Sequence, residues 1–181
     1  LVGAGCVKAW ESCWCGHELY GKFGANLARK IENGELIYVD YPHMQMLYRF
    51  FAGAQGLPFM PTYSAMGSDQ LAPANDGLAK AGLRDGSNPR IPKVQYQMYH
   101  EDFTNTEICL VPAAKPNWCI NHVHMVGSEG TVRIEGLDFS DIQAMKASDK
   151  NIVICEQVVP EEYLRRDPKA NQVPWYMVDY I

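Results

Sequence analysis

The apolar positions of this chain change period several times, and each change marks a candidate element. Phe23, Leu27 and Ile31 recur every four residues, which predicts a helix over 22–33 with one apolar face. Gly34 follows, suited to the left-handed backbone that ends a helix. Residues 36–39, LIYV, run apolar without alternation and predict a buried strand. Asp40 and Pro42 then fit the cap and first turn of a second helix, with Met44, Leu47, Tyr48 and Phe51 as its expected buried stripe and Gly56 as its end. The segment LPFMPT (57–62) must be extended, because each proline restrains the residue before it.

From Gly67 to Thr106 the periodicity fails, and Pro73, Gly77, Gly82, Gly86, Pro89 and Pro92 punctuate the stretch. The expectation is a long irregular insertion, 67–106, with one short helix near 76–83. Order resumes with EICLV (107–111) and WCINHVHMV (118–126), and GSEG turns the latter into TVRIE (131–135) as a hairpin. Residues 138–148 predict a helix with Phe139, Ile142 and Met145 on one side, NIVICE another buried strand, and PEEYLRR a short helix opened by Pro160. Residues 1–10 read as a loop and short strand. Strands apolar on both faces, alternating with helices, predict an α/β fold with a mainly parallel sheet and flanking helices. The expected organisation is a single α/β domain over 1–181. Both ends, LVGAGCVKAW and WYMVDYI, are apolar runs of the kind found inside domains, so a fragment of a longer chain is expected.

Composition narrows the classes. At 181 residues and 47% apolar, the chain can bury a sizeable core. Its net charge of -5, with no Lys/Arg stripe, argues against a nucleic-acid partner. No apolar run approaches the roughly 18–20 residues needed to span a bilayer, and a signal peptide is not expected from the first residues. Most of the six cysteines (6, 13, 15, 109, 119, 155) lie in apolar runs, which suggests buried, reduced thiols and a cytoplasmic setting. Cys13, Cys15 and His17 alternate in SCWCGH, but Cys-x-Cys is too tight for the usual zinc spacing and no second pair follows, so no metal site is expected.

Candidate chemistry is sparse. His122 and His124 lie two apart on a strand and share a face with Trp118 and Ile120. They either bind a ligand or satisfy hydrogen bonds at the sheet's end; the latter is the expectation. His43 falls in the first turn of a helix, near the positive end of its dipole, which suits a neutral imidazole that donates or accepts a hydrogen bond; a solvated loop histidine is the other reading. Tyr63, Ser64, Gly67 and Ser68 form YSAMGS, a small hydroxyl-rich loop after a predicted strand, and ligands of α/β sheets gather beyond the carboxyl ends of strands. These five residues are the candidate substrate-binding set. No P-loop, G-x-G-x-x-G or G-x-S-x-G is present.

The segments GCVKAW, ENGELIYVDY, GLPFMPTYSAMGS, HVHMVGSEGTVRIEG and VICEQVVPEEYLRRDPKANQVPWYMVDYI together resemble the A (alpha) subunit of family I CoA-transferases, especially the glutaconate CoA-transferase type. The similarity covers nearly the whole chain and weakens between 70 and 105. It implies an open α/β CoA-transferase-like domain that moves CoA from an acyl-CoA thioester to a carboxylic acid, with coenzyme A as substrate and no separate cofactor. It also implies a partner, the B (beta) subunit, which supplies the nucleophilic glutamate, while the A subunit forms one wall of the acyl-CoA site. Ring-opening acyl-CoA hydrolases resemble the chain too, but carry an acidic residue on the A subunit near position 43, where this sequence has His43. A non-catalytic subunit that binds a CoA ester or only completes an assembly is the third reading.

Glu32-Asn33-Gly34 raises the question of a nucleophile within this chain. A nucleophilic carboxylate needs a fixed loop with donors for the developing oxyanion. Glu32 instead follows the apolar face of a helix, and Glu35-Leu36 lead directly into a strand. Glu32 is therefore expected to be a solvated residue of the last helical turn, with no catalytic residue on this chain.

Overall fold

The computed structural model describes residues 1–17 and 22–181, with side chains outside 17–23. The chain divides into two compact units, one of residues 1–46 with 60–112 and the other of 47–59 with 113–181.

In the first unit, β1 (Ala9–Ser12) pairs in parallel with β4 (Ile37–Asp40), from Ala9 opposite Ile37 to Ser12 opposite Asp40. Between them lie β2 (Gly16–His17) and β3 (Lys22–Phe23), an antiparallel pair, and α1 (Ala25–Glu32). The predicted start of α1 is thus three residues early, and Phe23 belongs to β3; its side chain, like that of His17, lies outside the described residues. Leu27 is buried, Ile31 is half-buried, and Gly34 has φ +69°, as its position after the helix requires.

The helix α2 (His43–Ala54) begins two residues after Tyr41, and β5 (Phe59–Thr62) follows it. The predicted buried stripe of α2 is not the one observed. Met44 and Phe51 are exposed by 44% and 39%, while Gln45, Met46, Arg49 and Ala52 are buried. Leu47 and Tyr48 are half-buried. Periodicity ranks side chains by hydropathy alone, whereas Gln45 is buried because its amide has hydrogen-bond partners. Gly53 completes that inner face: a Cβ there would lie 2.1 Å from the Ala114 carbonyl oxygen.

The stretch after β5 holds two 3₁₀ turns and α3 (Gly77–Lys80), close to the expected position. Asp76 caps α3 by accepting the Ala79 N–H at 3.2 Å. Gly77 passes so close to Tyr38 that a Cβ would meet its carbonyl oxygen at 2.1 Å. The stretch also contains a strand that the proline and glycine punctuation obscured, β6 (Gln97–Glu101), antiparallel to β7 (Thr106–Pro112). The sheet order is β5-β7-β6.

In the second unit β8 (Trp118–Gly127) turns through Gly130, φ +110°, into β9 (Val132–Arg133), the predicted hairpin. Then come α4 (Asp141–Ala147), β10 (Lys150–Val159) and α5 (Glu161–Arg165). β10 runs parallel to β8 from Lys150 opposite Trp118 to Val159 opposite Gly127, and the order is β10-β8-β9. Val123, Val126, Val132, Met145, Val153 and Val173 form the core, with Ile142 packed against it. Phe139, expected on the buried side of α4, precedes the helix and is 48% exposed. The β8/β10 pair is apolar on both faces as predicted, but buried on one. Trp118, Ile120, Ile154 and Val158 stand in the open, and the Tyr180 ring lies 5.9 Å from that of Trp118. The fold is mixed α/β, with parallel pairing of β1 with β4 and of β8 with β10, and antiparallel pairing of β2 with β3, β6 with β7 and β8 with β9.

Candidate functional site

The chain leaves β5 into the loop 63–68, which holds four of the five expected ligand-binding residues. Two successive turns shape it, with Met66 N–H donating to Tyr63 O at 3.1 Å and Ser68 N–H to Ala65 O at 3.0 Å. Ala65 and Gly67 both take left-handed backbone, φ 68° and +73°. For Ala65 that costs about 1 kcal/mol, held by the bonds around it. Those bonds come from below: Thr62 Oγ1 accepts the Ser64 N–H at 3.0 Å, and Gln45 Nε2 donates to Ser64 O at 2.9 Å. Gln45 is 1% exposed and also lies 3.8 Å from the Cys109 thiol. His43 opens α2 two residues earlier and is exposed, so Gln45 ties the first turn of that helix to the loop.

The loop hydroxyls are not equivalent. Ser68 Oγ donates to Ala65 O at 2.7 Å and serves the loop itself. Ser64 Oγ has no hydrogen-bond partner among the described residues. Tyr63 is 58% exposed, and its hydroxyl lies 2.9 Å from Thr106 Oγ1. Thr106 opens β7 opposite Glu101, the last residue of β6. Glu101 accepts the Phe103 N–H at 2.7 Å, the Thr104 N–H at 3.2 Å, the Thr104 hydroxyl and, at 3.0 Å, the Thr106 hydroxyl. With the Thr104 hydroxyl foremost, these donors hold the Glu101 carboxyl down at about 2. Sequence reasoning missed Glu101, Thr104, Thr106 and Gln45. The turn residues in EDFTNT, set between alternating QYQMYH and apolar EICLV, were the available hairpin signal.

A second polar cluster stands at the carboxyl ends of β1 and β4. Tyr38 donates its hydroxyl to Asp40 Oδ1 at 3.2 Å, and Gln70 Nε2 reaches Asp40 Oδ2 at 2.9 Å. Burial, then the Asp40 charge, pushes the Tyr38 phenol up to about 12. Gln95 Nε2 donates to the Asp40 carbonyl at 2.8 Å. Gln95 also lines a cavity of about 270 Å³ with Asp76, Lys93 and Tyr96. Asp76 is held there by Arg84 Nε at 2.6 Å.

The remaining candidates fall outside these clusters. His122 is on the open face of β8, its Nε2 3.8 Å from Glu156 Oε1, with both side chains 58% exposed. His124 accepts the Glu135 N–H on Nδ1 at 3.0 Å, the kind of hydrogen-bonded role expected for this pair. Glu32 is the last residue of α1 and is exposed, as expected. The six cysteines are free thiols; burial pushes Cys109 and Cys119 up to about 11, which keeps them protonated and poorly nucleophilic near neutrality. Among the described residues no group of three or more His, Cys, Asp or Glu is placed to hold a metal ion. None of the described helices is long and apolar enough to cross a membrane.

The family model described as Coenzyme A transferase matches residues 1–181. The A subunit of glutaconate CoA-transferase from Acidaminococcus fermentans is 29% identical over 182 residues, covering 100% of this chain and 56% of that protein. The A subunit of 3-oxoadipate CoA-transferase from Pseudomonas knackmussii is 26% identical over 164 residues, 89% of this chain and 51% of the relative. The crystal structure of glutaconate coenzyme A-transferase from Acidaminococcus fermentans matches with a TM-score of 0.90 at 29% identity, over 99% of this chain and 56% of that one. The chain thus spans about half the length of these relatives.

Proposed function

This chain belongs to the coenzyme A transferase family, and on that premise we propose that it is part of the A subunit of a heteromeric acyl-CoA:carboxylate CoA-transferase. The supporting observation is the likeness to a glutaconate coenzyme A-transferase chain along 99% of the sequence at a TM-score of 0.90. In this reading the loop 63–68, braced by Gln45, is one wall of the acyl-CoA site, with Tyr63, Ser64, Gly67, Ser68 and His43 nearest the ligand. A glutamate of the B subunit attacks the thioester carbonyl, CoA thiolate leaves, and an acyl-glutamyl anhydride forms. The thiolate then attacks the glutamyl carbonyl, releasing the first acid and leaving glutamyl-CoA. The second acid runs the two steps in reverse. Covalent catalysis of this kind divides one difficult transfer into easier ones. The exposed position of Glu32 at a helix end supports placing the nucleophile on the partner.

The test is co-expression with a B-type partner, followed by an assay of CoA exchange between an acyl-CoA and a labelled carboxylic acid. Exchange is expected. Release of free CoA without labelled thioester would make the complex a hydrolase of the same fold. Exchange by the B-type partner on its own, with CoA binding unchanged when this chain is omitted, would reduce the chain to a structural role.

A further inference from the structure

The direction of one hydrogen bond follows from its neighbours. Thr106 Oγ1 lies 3.0 Å from Glu101 Oε1 and 2.9 Å from the Tyr63 hydroxyl oxygen. An ionised carboxylate only accepts, so the single hydroxyl hydrogen of Thr106 points to Glu101. The same holds for Thr104, whose hydroxyl also contacts Glu101 and lies 3.0 Å from Thr106. Thr106 Oγ1 therefore has only lone pairs to offer Tyr63, and Tyr63 must donate. Its one hydrogen is committed to Thr106, and its oxygen, on a side chain 58% exposed, can only accept from a ligand. The Ser64 hydroxyl, without a partner among the described residues, is left as the loop's hydroxyl donor.

We infer that Glu101, acting through Thr106, is a positioning residue that fixes the Tyr63 hydroxyl as a hydrogen-bond acceptor toward the ligand, and that the group it receives is an amide N–H of the pantetheine arm of CoA. This rests on the A-subunit reading above and deepens it. A thioester carbonyl, having no hydrogen, is the wrong partner for Tyr63 in this arrangement; an amide N–H is the right one. The hairpin β6–β7 is then part of the site without touching the ligand. Its four donors keep Glu101 ionised and in place, Glu101 turns Thr106, and Thr106 turns Tyr63.

The experiment is a coupling measurement on the complex with its B-type partner. CoA and two analogues, each N-methylated at one pantetheine amide, are titrated calorimetrically into wild type and Tyr63→Phe. Tyr63→Phe is expected to weaken CoA about fivefold to tenfold, the loss of one hydrogen bond. One analogue should be weaker on wild type by a similar factor beyond its effect on Tyr63→Phe, because both changes remove the same bond. Equal factors on the two proteins for both analogues would overturn the ligand assignment. Orientation is read separately, without ligand, from the Tyr63 13Cζ NMR shift. It should move in Thr106→Val and Glu101→Gln and return in Thr106→Ser; an unmoved shift in Thr106→Val overturns the positioning role. A wild-type complex that binds no CoA would refute the A-subunit reading and the ligand together, while the 13Cζ result still decides the orientation.

Discussion

In the hairpin joining β6 to β7, Glu101 takes the N–H groups of Phe103 and Thr104 while staying within reach of solvent. In the hairpin joining β8 to β9, Glu161 reaches over from α5 and accepts the Glu129 N–H at 3.0 Å, and it is 2% exposed. Both carboxylates organise a turn by accepting backbone donors. They differ in what would replace them. Water can serve the Glu101 donors when that side chain is lost, so its value lies in direction. Glu161 is itself enclosed, so its loss removes a buried carboxylate as well as the acceptor for Glu129, and its value lies in stability. The second turn is also shaped around its carboxylate, since a Cβ on Gly127 would lie 2.0 Å from Glu161 Oε2.

The contrast can be broken most forcefully at Gly127. Gly127→Ala must displace Glu161, and overpacking plus an orphaned donor should cost about 3 kcal/mol or more in chemical denaturation. A loss under 1 kcal/mol would mean that the turn is not built on the carboxylate. Glu161→Ala comes next, at about 2 kcal/mol, whereas Glu161→Gln keeps an acceptor oxygen and should retain part of that. If the two variants melt alike, hydrogen bonding to Glu129 is not what Glu161 contributes. At Glu101 the effect is one of pH. Its carboxyl sits at about 2 in the fold, against about 4.3 for an unfolded Glu. A depressed carboxyl stabilises above the unfolded value and loses that contribution as pH falls through the folded one. The Phe103 and Thr104 amide shifts should therefore titrate near pH 2 in NMR spectra; a midpoint near 4 would show that the donor set does not hold in solution. The smallest expected effect is at Glu32, which organises nothing by this device. Glu32→Gln should leave CoA exchange by the proposed complex with a B-type partner within about twofold and stability within about 0.5 kcal/mol. Trapping of a CoA adduct on Glu32 would place the nucleophile on this chain instead.

The sequence carried the apolar parts of this architecture well. Met145 and Ile142 of α4, the β8–β9 turn at Gly130 and the end of α1 at Gly34 all follow from periodicity and glycine placement. What it hid was polar. Gln45 is buried on a helix where Met44 and Phe51 stand exposed, because its side-chain NH2 group donates to Ser64 O and Cys109 Sγ, and no hydropathy pattern encodes a partner 19 or 64 residues away. The β6 strand was lost among Pro and Gly, and with it the Glu101 network. The loop 63–68 was legible as small and hydroxyl-bearing, but which hydroxyl donates depended on a hairpin some forty residues downstream.

For anyone engineering this protein, Gln45 is a trap. A consensus or hydropathy-guided redesign would exchange a fully enclosed amide for leucine and score the change as an improvement. That exchange fills the same space and leaves the Ser64 carbonyl without its donor, so the left-handed turn above it loses its anchor. The variant would look healthy in a melting curve while its loop wandered, and screening by thermal stability alone would select it.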